Sequence, residues 1–371
     1  MPNSAALPQH KARLRLSYPD ALRGIAALWV FLYHLREGKH IPDLVAALPD
    51  WFVSAVFGAG HLGVPIFFVL SGYVMSLTTA RGGLRFGEAM RFLVKRLLRI
   101  SPPYYFAIAF VCIFMLIKQH VLKVDAGLPE ASTIVYHIFY LQGFADVGQI
   151  DIVFWTLCIE MQFYLAFAVF GITLAWARAD EHKATVAWLV LACLALCWPL
   201  FHADMRGDVL FVRYWYAFLM GVLVCRFGSI ASSPSLKILI ILYIAVVLSI
   251  GVFNQDKFAM ASSAAALSMV CAHTLGKMSH WLDWMPLQKL GLISYSVYLL
   301  HNPITGAVSN VVHGRLGSSL HVDILVLLSS LMGVMITAAL AYQFVEVPSI
   351  SLAKAVFSRP LAAHRQKNPC P

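Results

Sequence analysis

The chain has 371 residues, 60% of them hydrophobic and only 12% charged, with 28 Lys and Arg against 18 Asp and Glu. A soluble domain carries about twice that charge, so the composition excludes a water-facing globular surface, a disordered chain and a secreted disulfide scaffold. The net charge of +10 is no nucleic-acid footprint. The basic residues fall between apolar runs, mostly on alternate sides, as the positive-inside bias places them.

Ten apolar runs predict spanning helices, near 22–37, 58–79, 102–119, 153–176, 185–201, 210–226, 237–253, 259–276, 290–311 and 322–345. The expected fold is therefore all-α, a polytopic membrane helical bundle. With both termini in the cytoplasm, twenty of the 28 Lys and Arg lie on the cytoplasmic side and eight outside, and an even number of spans is required. Residues 1–17 and 349–371 read as cytoplasmic tails around a transmembrane domain at 18–348. The first apolar run holds Arg23 and His34 and lacks a small-residue cleavage site, so it does not read as a cleavable signal. The seven cysteines form no CxxC pair and no zinc spacing, and they read as small apolar residues. The histidines do not cluster at metal-ligand spacing, so no metal is expected.

Ionisable residues inside spans carry the information, because each costs at least about 2.5–3.5 kcal/mol on insertion scales. In the first helix Arg23 and His34 are eleven residues apart, which puts both on one face about 16 Å apart along the axis. Gly24, Ala26 and Ala27 allow close helix approach. The second helix reads Gly63-Val-Pro-Ile-Phe67-Phe68-Val-Leu-Ser71-Gly72, small enough at places for tight packing or for a groove. The loop that follows is the most basic in the chain and ends Lys95-Arg96-Leu-Leu-Arg99-Ile-Ser-Pro102-Pro103. Arg96 and Arg99 share a helix face, and two guanidinium forks side by side suit phosphate oxygens or lipid headgroups. The segment from Lys118 to Ile152 contains an apolar piece, Ile134 to Leu141, too short to span and suited to an interfacial or re-entrant position. The fourth helix opens Trp155-Thr-Leu-Cys-Ile-Glu160-Met-Gln-Phe-Tyr164. The ninth holds Ser294, Tyr298 and His301 at helical spacing, and the tenth ends at Glu346-Val-Pro348. These groups could line one wet seam or form a structural hydrogen-bond network. Neither a GxSxG elbow, an HExxH motif nor a P-loop lysine is present, and no internal repeat is visible.

Taken together, these stretches resemble the acyltransferase-3 family of membrane acyltransferases, from Tyr18 to Pro348. The resemblance rests on Arg23-x10-His34, Gly63-x3-Phe67 with Ser71-Gly72, Arg96-x-x-Arg99, Trp155 to Tyr164, Ser294 to His301 and Glu346-x-Pro348. It implies transfer of an acyl group, often acetyl, from a cytoplasmic CoA thioester to a hydroxyl of a glycan or other acceptor. It also implies that the Arg23/His34 pair is functional and that the Arg-x-x-Arg segment lies on the CoA side. The fourth-helix motif is commonly Trp-Ser-Leu-x-x-Glu-Glu-Gln-Phe-Tyr. Here Met161 replaces the second glutamate, which leaves Glu160 alone to carry an acidic role and hints at an exopolysaccharide acceptor.

The expected enzyme is thus a bacterial inner-membrane O-acyltransferase with no permanently bound cofactor. Its expected partners are the bilayer, acyl-CoA (acetyl-CoA first) and a glycan or lipid-linked glycan, without nucleic acid. Arg96 and Arg99, with Lys95, are expected to hold CoA phosphates, with Arg23 just above. His34 is expected to take the acceptor's proton, with Glu160 orienting its imidazole, or else to carry the acyl group itself. Ser71, Tyr164, Tyr298, His301 and Glu346 are expected to be substrate or network residues, and His273 structural. A multi-pass secondary transporter or flippase for a polysaccharide precursor is the alternative. It fits the buried charges but neither the missing repeat nor the phosphate-suited basic segment.

Overall fold

The computed structural model describes residues 16–79, 83–121, 123, 127–145, 147–177, 190, 193, 194, 196, 210–229 and 233–358. The expected fifth span, 185–201, lies outside the described residues except at four isolated positions. Among the described residues all regular structure is helical. The principal helices are α1 (Ser17–Glu37), α2 (Gly63–Thr78), α3 (Phe86–Val121), α4 (Ala131–Ile138), α5 (Trp155–Ala177) and α6 (Trp215–Phe227), followed by α7 (Pro234–Phe253), α8 (Lys257–Thr274), α9 (Met285–Leu316), α10 (Leu320–Ala341) and α11 (Val347–Ser358).

Among the described residues five helical runs are long and apolar enough to cross a membrane: Asp50–Leu77, Phe86–His120, Trp155–Ala177, Pro234–Phe253 and Leu320–Phe357. The protein is a multi-pass helical bundle. Helix α1 carries Asp20, Arg23, Arg36 and Glu37, and the apolar run of α9 is interrupted by Ser294, Ser296, His301 and Asn302, so neither joins the five. Helix α6 has 13 residues, too few to span on its own.

Glycines set the closest contacts. A Cβ on Gly221 of α6 would lie 1.9 Å from the Val69 carbonyl oxygen of α2, and one on Gly72 of α2 would lie 2.0 Å from that of Phe218. At the α1–α9 crossing a Cβ on Gly291 would meet the Asp20 oxygen at 2.1 Å, and one on Gly24 would meet the Gly291 nitrogen at 2.9 Å. Backbone touches backbone at both crossings, the close approach that small residues permit between helices. Helix α1 therefore packs between α2 and α9, while α3 lies against α5, α9 and α11.

The basic segment before Pro102 is not a loop: α3 runs unbroken from Phe86 to Val121 through Pro102 and Pro103. The prolines remove the amide donors for the carbonyls of Leu98 and Arg99. Neighbours support a membrane helix where prolines loosen it; here the Tyr295 hydroxyl of α9 donates to the Ile100 carbonyl at 3.0 Å. The tail expected from 349 is helical as far as Ser358, because α10 passes through a π-helical turn, Tyr342–Glu346, straight into α11. The second span is preceded by a π turn at Ser54–Gly58 and a 3₁₀ turn at Gly60–Leu62. By contrast, the interfacial piece is present as α4. Its one buried side chain is His137, while Val135, Tyr136, Ile138 and the adjoining Phe139 are exposed, as suits an element lying at a bilayer surface.

Candidate active site

One pocket opens between α1, α2, α3, α5, α9 and the π turn. It gathers eight of the eleven expected site residues: Arg23, Ser71, Arg96, Arg99, Glu160, Tyr164, Tyr298 and Glu346. Each is delivered by a different local rule. Arg96 and Arg99 are three apart on α3 and so share a face. Glu160 and Tyr164 are one turn apart on α5. Glu346 sits on the π turn, where the extra residue re-aims the chain, as such turns do at functional sites. It is 3% exposed, and its Oε2 accepts from the Ser296 hydroxyl at 3.1 Å.

Charge is unbalanced in this cavity: three guanidinium groups meet two carboxylates. Both carboxylates already have partners. Glu160 Oε1 accepts from the Ser71 hydroxyl at 2.9 Å and from the Tyr164 hydroxyl. Arg96 lies over the rings of Phe92 and Tyr164, 5.4 and 5.7 Å from their centroids. Arg99 is the like charge that bears most on Arg23, ahead of the attractions of Asp20, Glu346 and Glu160. Among the described residues neither Arg23 nor Arg99 makes a hydrogen bond or ion pair, so both forks are available to an anion. Clustered guanidinium groups in a partly desolvated site bind phosphate oxygens through short charge-assisted bonds.

His34 and His301 lie beyond Tyr298, outside the cavity lining. Their ring centroids are 5.1 Å apart, and the Tyr298 ring is 6.1 Å from that of His301. The Tyr298 hydroxyl donates to the Val153 carbonyl at 3.1 Å and pairs with the Thr156 hydroxyl at 2.8 Å. Tyr298 thus forms the wall between arginines and histidines. His34 is partly exposed and His301 fully buried. Glu160 does not orient His34 here: its bonds go to Ser71 and Tyr164, because it lies on the arginine side of that wall. Lys95 also departs from expectation. It is exposed on the outer face of α3, with its ammonium 5.4 Å from the Phe357 ring centroid of α11. His273 meets the Tyr73 hydroxyl at 3.1 Å, away from the cavity.

Two contributors escaped the sequence reading. Tyr295 lines the cavity and braces α3; its position three residues before Tyr298, on the same helix face, was the available signal. Asp151 accepts from the Asn302 amide at 2.9 Å and from the Val153 amide at 3.1 Å, tying the loop before α5 to the residue after His301. No metal-ligand cluster occurs among the described residues.

Residues 16–343 match the model of the acyltransferase-3 family, described as an acyltransferase domain. The chain is 27% identical to the Bacillus subtilis protein named "Putative peptidoglycan O-acetyltransferase YrhL", over 94% of this chain and 57% of that one. It is 26% identical to "Putative membrane-bound transacylase BcsY" of Komagataeibacter xylinus, over 88% of this chain and 81% of the other. With the Staphylococcus aureus O-acetyltransferase OatA it shares 24% identity, over 89% and 56%. The chain thus spans little more than half the length of the first and third of these relatives. No solved structure matches it. The family model covers the helices that bring Arg23, Arg99 and His34 into place, and the chain belongs to the acyltransferase-3 family.

Proposed function

We propose that the protein is a membrane O-acyltransferase that moves an acyl group, acetyl first among them, from cytoplasmic acyl-CoA to a glycan hydroxyl. The acceptor is a surface polysaccharide or its lipid-linked precursor. In this reading the bundle has ten spans with both termini cytoplasmic, in a bacterial inner membrane. One observation carries the proposal: α1 runs from a cluster of three arginines around one cavity to a partly exposed histidine about 16 Å further along its axis.

The arginines take the CoA phosphates, Arg99 and Arg23 with their unengaged forks and Arg96 from above Tyr164. The pantetheine arm is long enough to reach past Tyr298 to His34. There the acceptor hydroxyl, a weak nucleophile at neutral pH, gives its proton to a bare nitrogen of His34 as its oxygen attacks the thioester carbon. A C–O bond forms, the C–S bond breaks, and the CoA thiolate leaves with the proton held by His34. The relatives' names point to O-acetylation of peptidoglycan for one of the three, to O-acetyl transfer for another and to membrane-bound transacylation for the third; a sugar hydroxyl as acceptor agrees with the peptidoglycan name.

Labelled acetyl-CoA supplied to the protein purified in detergent, with oligosaccharide acceptors, tests the proposal. Acetyl ester appearing on the glycan supports it. Glycan binding or movement across vesicles without transfer would favour a transporter instead. The acyl content of surface polysaccharide with and without the gene identifies the acceptor.

A further inference from the structure

Among the described residues one buried imidazole nitrogen has no hydrogen-bond partner: Nε2 of His301, on a side chain with no solvent exposure. The other nitrogen fixes what Nε2 can do. Nδ1 lies 2.8 Å from the Tyr298 carbonyl oxygen and 3.1 Å from that of Val297. Carbonyl oxygens only accept, so Nδ1 carries the proton, and in a neutral imidazole Nε2 is then a bare lone pair. The backbone holds this ring in place, for the Thr305 hydroxyl donates to the carbonyl of His301 at 2.6 Å on the turn below.

Two rings face His301. Tyr298 is already engaged through its hydroxyl with Val153 and Thr156. His34 is in ring contact, tilted by 42°, and its imidazole makes no hydrogen bond among the described residues. Its other ring neighbour is Tyr33 at 5.1 Å. A buried acceptor without a donor therefore touches an imidazole that has an N–H to give.

We infer that His301 is the positioning residue for His34. Nε2 of His301 accepts the N–H of His34, which fixes the His34 tautomer and turns the lone pair of its other nitrogen toward the acceptor hydroxyl. The inference rests on the acyl-transfer reading. The hydroxyl proton goes to the bare nitrogen of His34 and later to the thiolate, while His301 keeps one proton throughout. The orienting group is thus a neutral imidazole, where a serine-protease triad uses a carboxylate. It sets ring angle and tautomer without adding negative charge beside the arginine cavity.

Two measurements on the full chain test this. In solid-state ¹⁵N spectra of histidine-labelled protein in bilayers, His34→Asn and His301→Gln assign the two residues by loss or movement of signals. The expected result is a bare, hydrogen-bonded Nε2 on His301, with His34 signals that move when His301 is replaced. In steady-state assays His301→Leu is expected to lower kcat by about 100-fold while the KM for acetyl-CoA stays within twofold. His301→Gln, whose Oε1 can accept an N–H, should recover at least tenfold of that loss. Glutamine no better than leucine, or His34 signals indifferent to His301→Gln, would overturn the inference. If the leucine variant does not fold, the glutamine spectra decide. A wild-type protein without acyl transfer but with coupled His34 and His301 signals would refute the acyl-transfer reading and leave the pairing standing.

Discussion

The two ends of the site are built on opposite principles. At the arginine end three guanidinium groups and two carboxylates share one cavity, every carboxylate has a hydroxyl partner, and two arginine forks have none. At the histidine end, among the described residues, no charged group hydrogen-bonds to or pairs with either ring, and the two imidazoles are in contact. Tyr298 separates them. The difference teaches that holding and reacting are distinct tasks. An anion-binding end needs excess fixed positive charge, whereas a proton-accepting end needs a neutral lone pair whose direction is set. Helices α1 and α9 each reach both.

If that division is right, damage at each end has its own kinetic signature. The largest effect is expected from His34→Ala, which should lower kcat by about 10²–10⁴-fold, the usual contribution of a positioned base, while acetyl-CoA still binds. Normal turnover in a folded His34→Ala preparation would erase the distinction between the ends. Next, Arg99→Ala is expected to raise the apparent KM for acetyl-CoA about tenfold or more, since charge-assisted bonds contribute roughly 1.5–3 kcal/mol each. Arg99→Lys should recover only part, lacking the bidentate fork. Equal acetyl-CoA affinity in all three proteins would reduce the arginine end to a lipid anchor.

A third effect falls on stability at the histidine end and leaves the kinetics aside. Burial pushes the Asp151 carboxyl up to about 6, against the pull of the Asn302 amide and the Val153 N–H. The folded state therefore holds that proton more tightly than the unfolded chain, whose aspartate titrates near 3.8. The stabilisation is full below about pH 4 and is lost as pH rises through about 6, a change on the order of 3 kcal/mol. Asp151→Asn should remove this dependence, so that between pH 4.5 and 7 its Tm in detergent falls less than that of wild type. Parallel Tm curves would show that Asp151 is hydrated. The smallest effect is expected from Lys95→Ala: a KM for acetyl-CoA within twofold of wild type. A tenfold rise there would extend the anion site to the outer face of α3.

Much of this was legible in the sequence because helical periodicity and the cost of intramembrane charge are strong signals. Arg23 with His34, Arg96 with Arg99, and Glu346 each stood out as polar residues in apolar surroundings, and all of them lie at the site. Pairings between helices were not legible. Nothing in the spacing of Glu160 says that Ser71, 89 residues earlier, will take its oxygen, and so the carboxylate was assigned to His34 by analogy with a triad. Likewise Pro102-Pro103 reads locally as a break. The continuity of α3 depends on packing against α5, α9 and α11, which a sequence window cannot contain. Lys95 misled through adjacency: one residue from Arg96 is about 100° around the helix, enough to face Phe357 instead of the cavity.

Backbone contact at Gly24 and Gly291 makes α1 a ruler. With the Asp20 carbonyl set against Gly291, α1 has no room to slide along α9 by even the 1.5 Å of one residue. Arg23 and His34 share α1, so the helical rise sets their separation along the axis, and the crossing sets where both stand against Tyr298 and His301 of α9. Every CoA ester has the same reach from phosphate to thioester, so under the proposed acyl-CoA reading a ruler of this kind would accept the common handle and be blind to the cargo. Acyl chains of different length diverge only past the thioester carbon, on the far side of His34. Discrimination between acetyl and longer groups would then belong to the space around Tyr33 and the acceptor, and changing the donor's cargo would call for mutations there and not among the arginines.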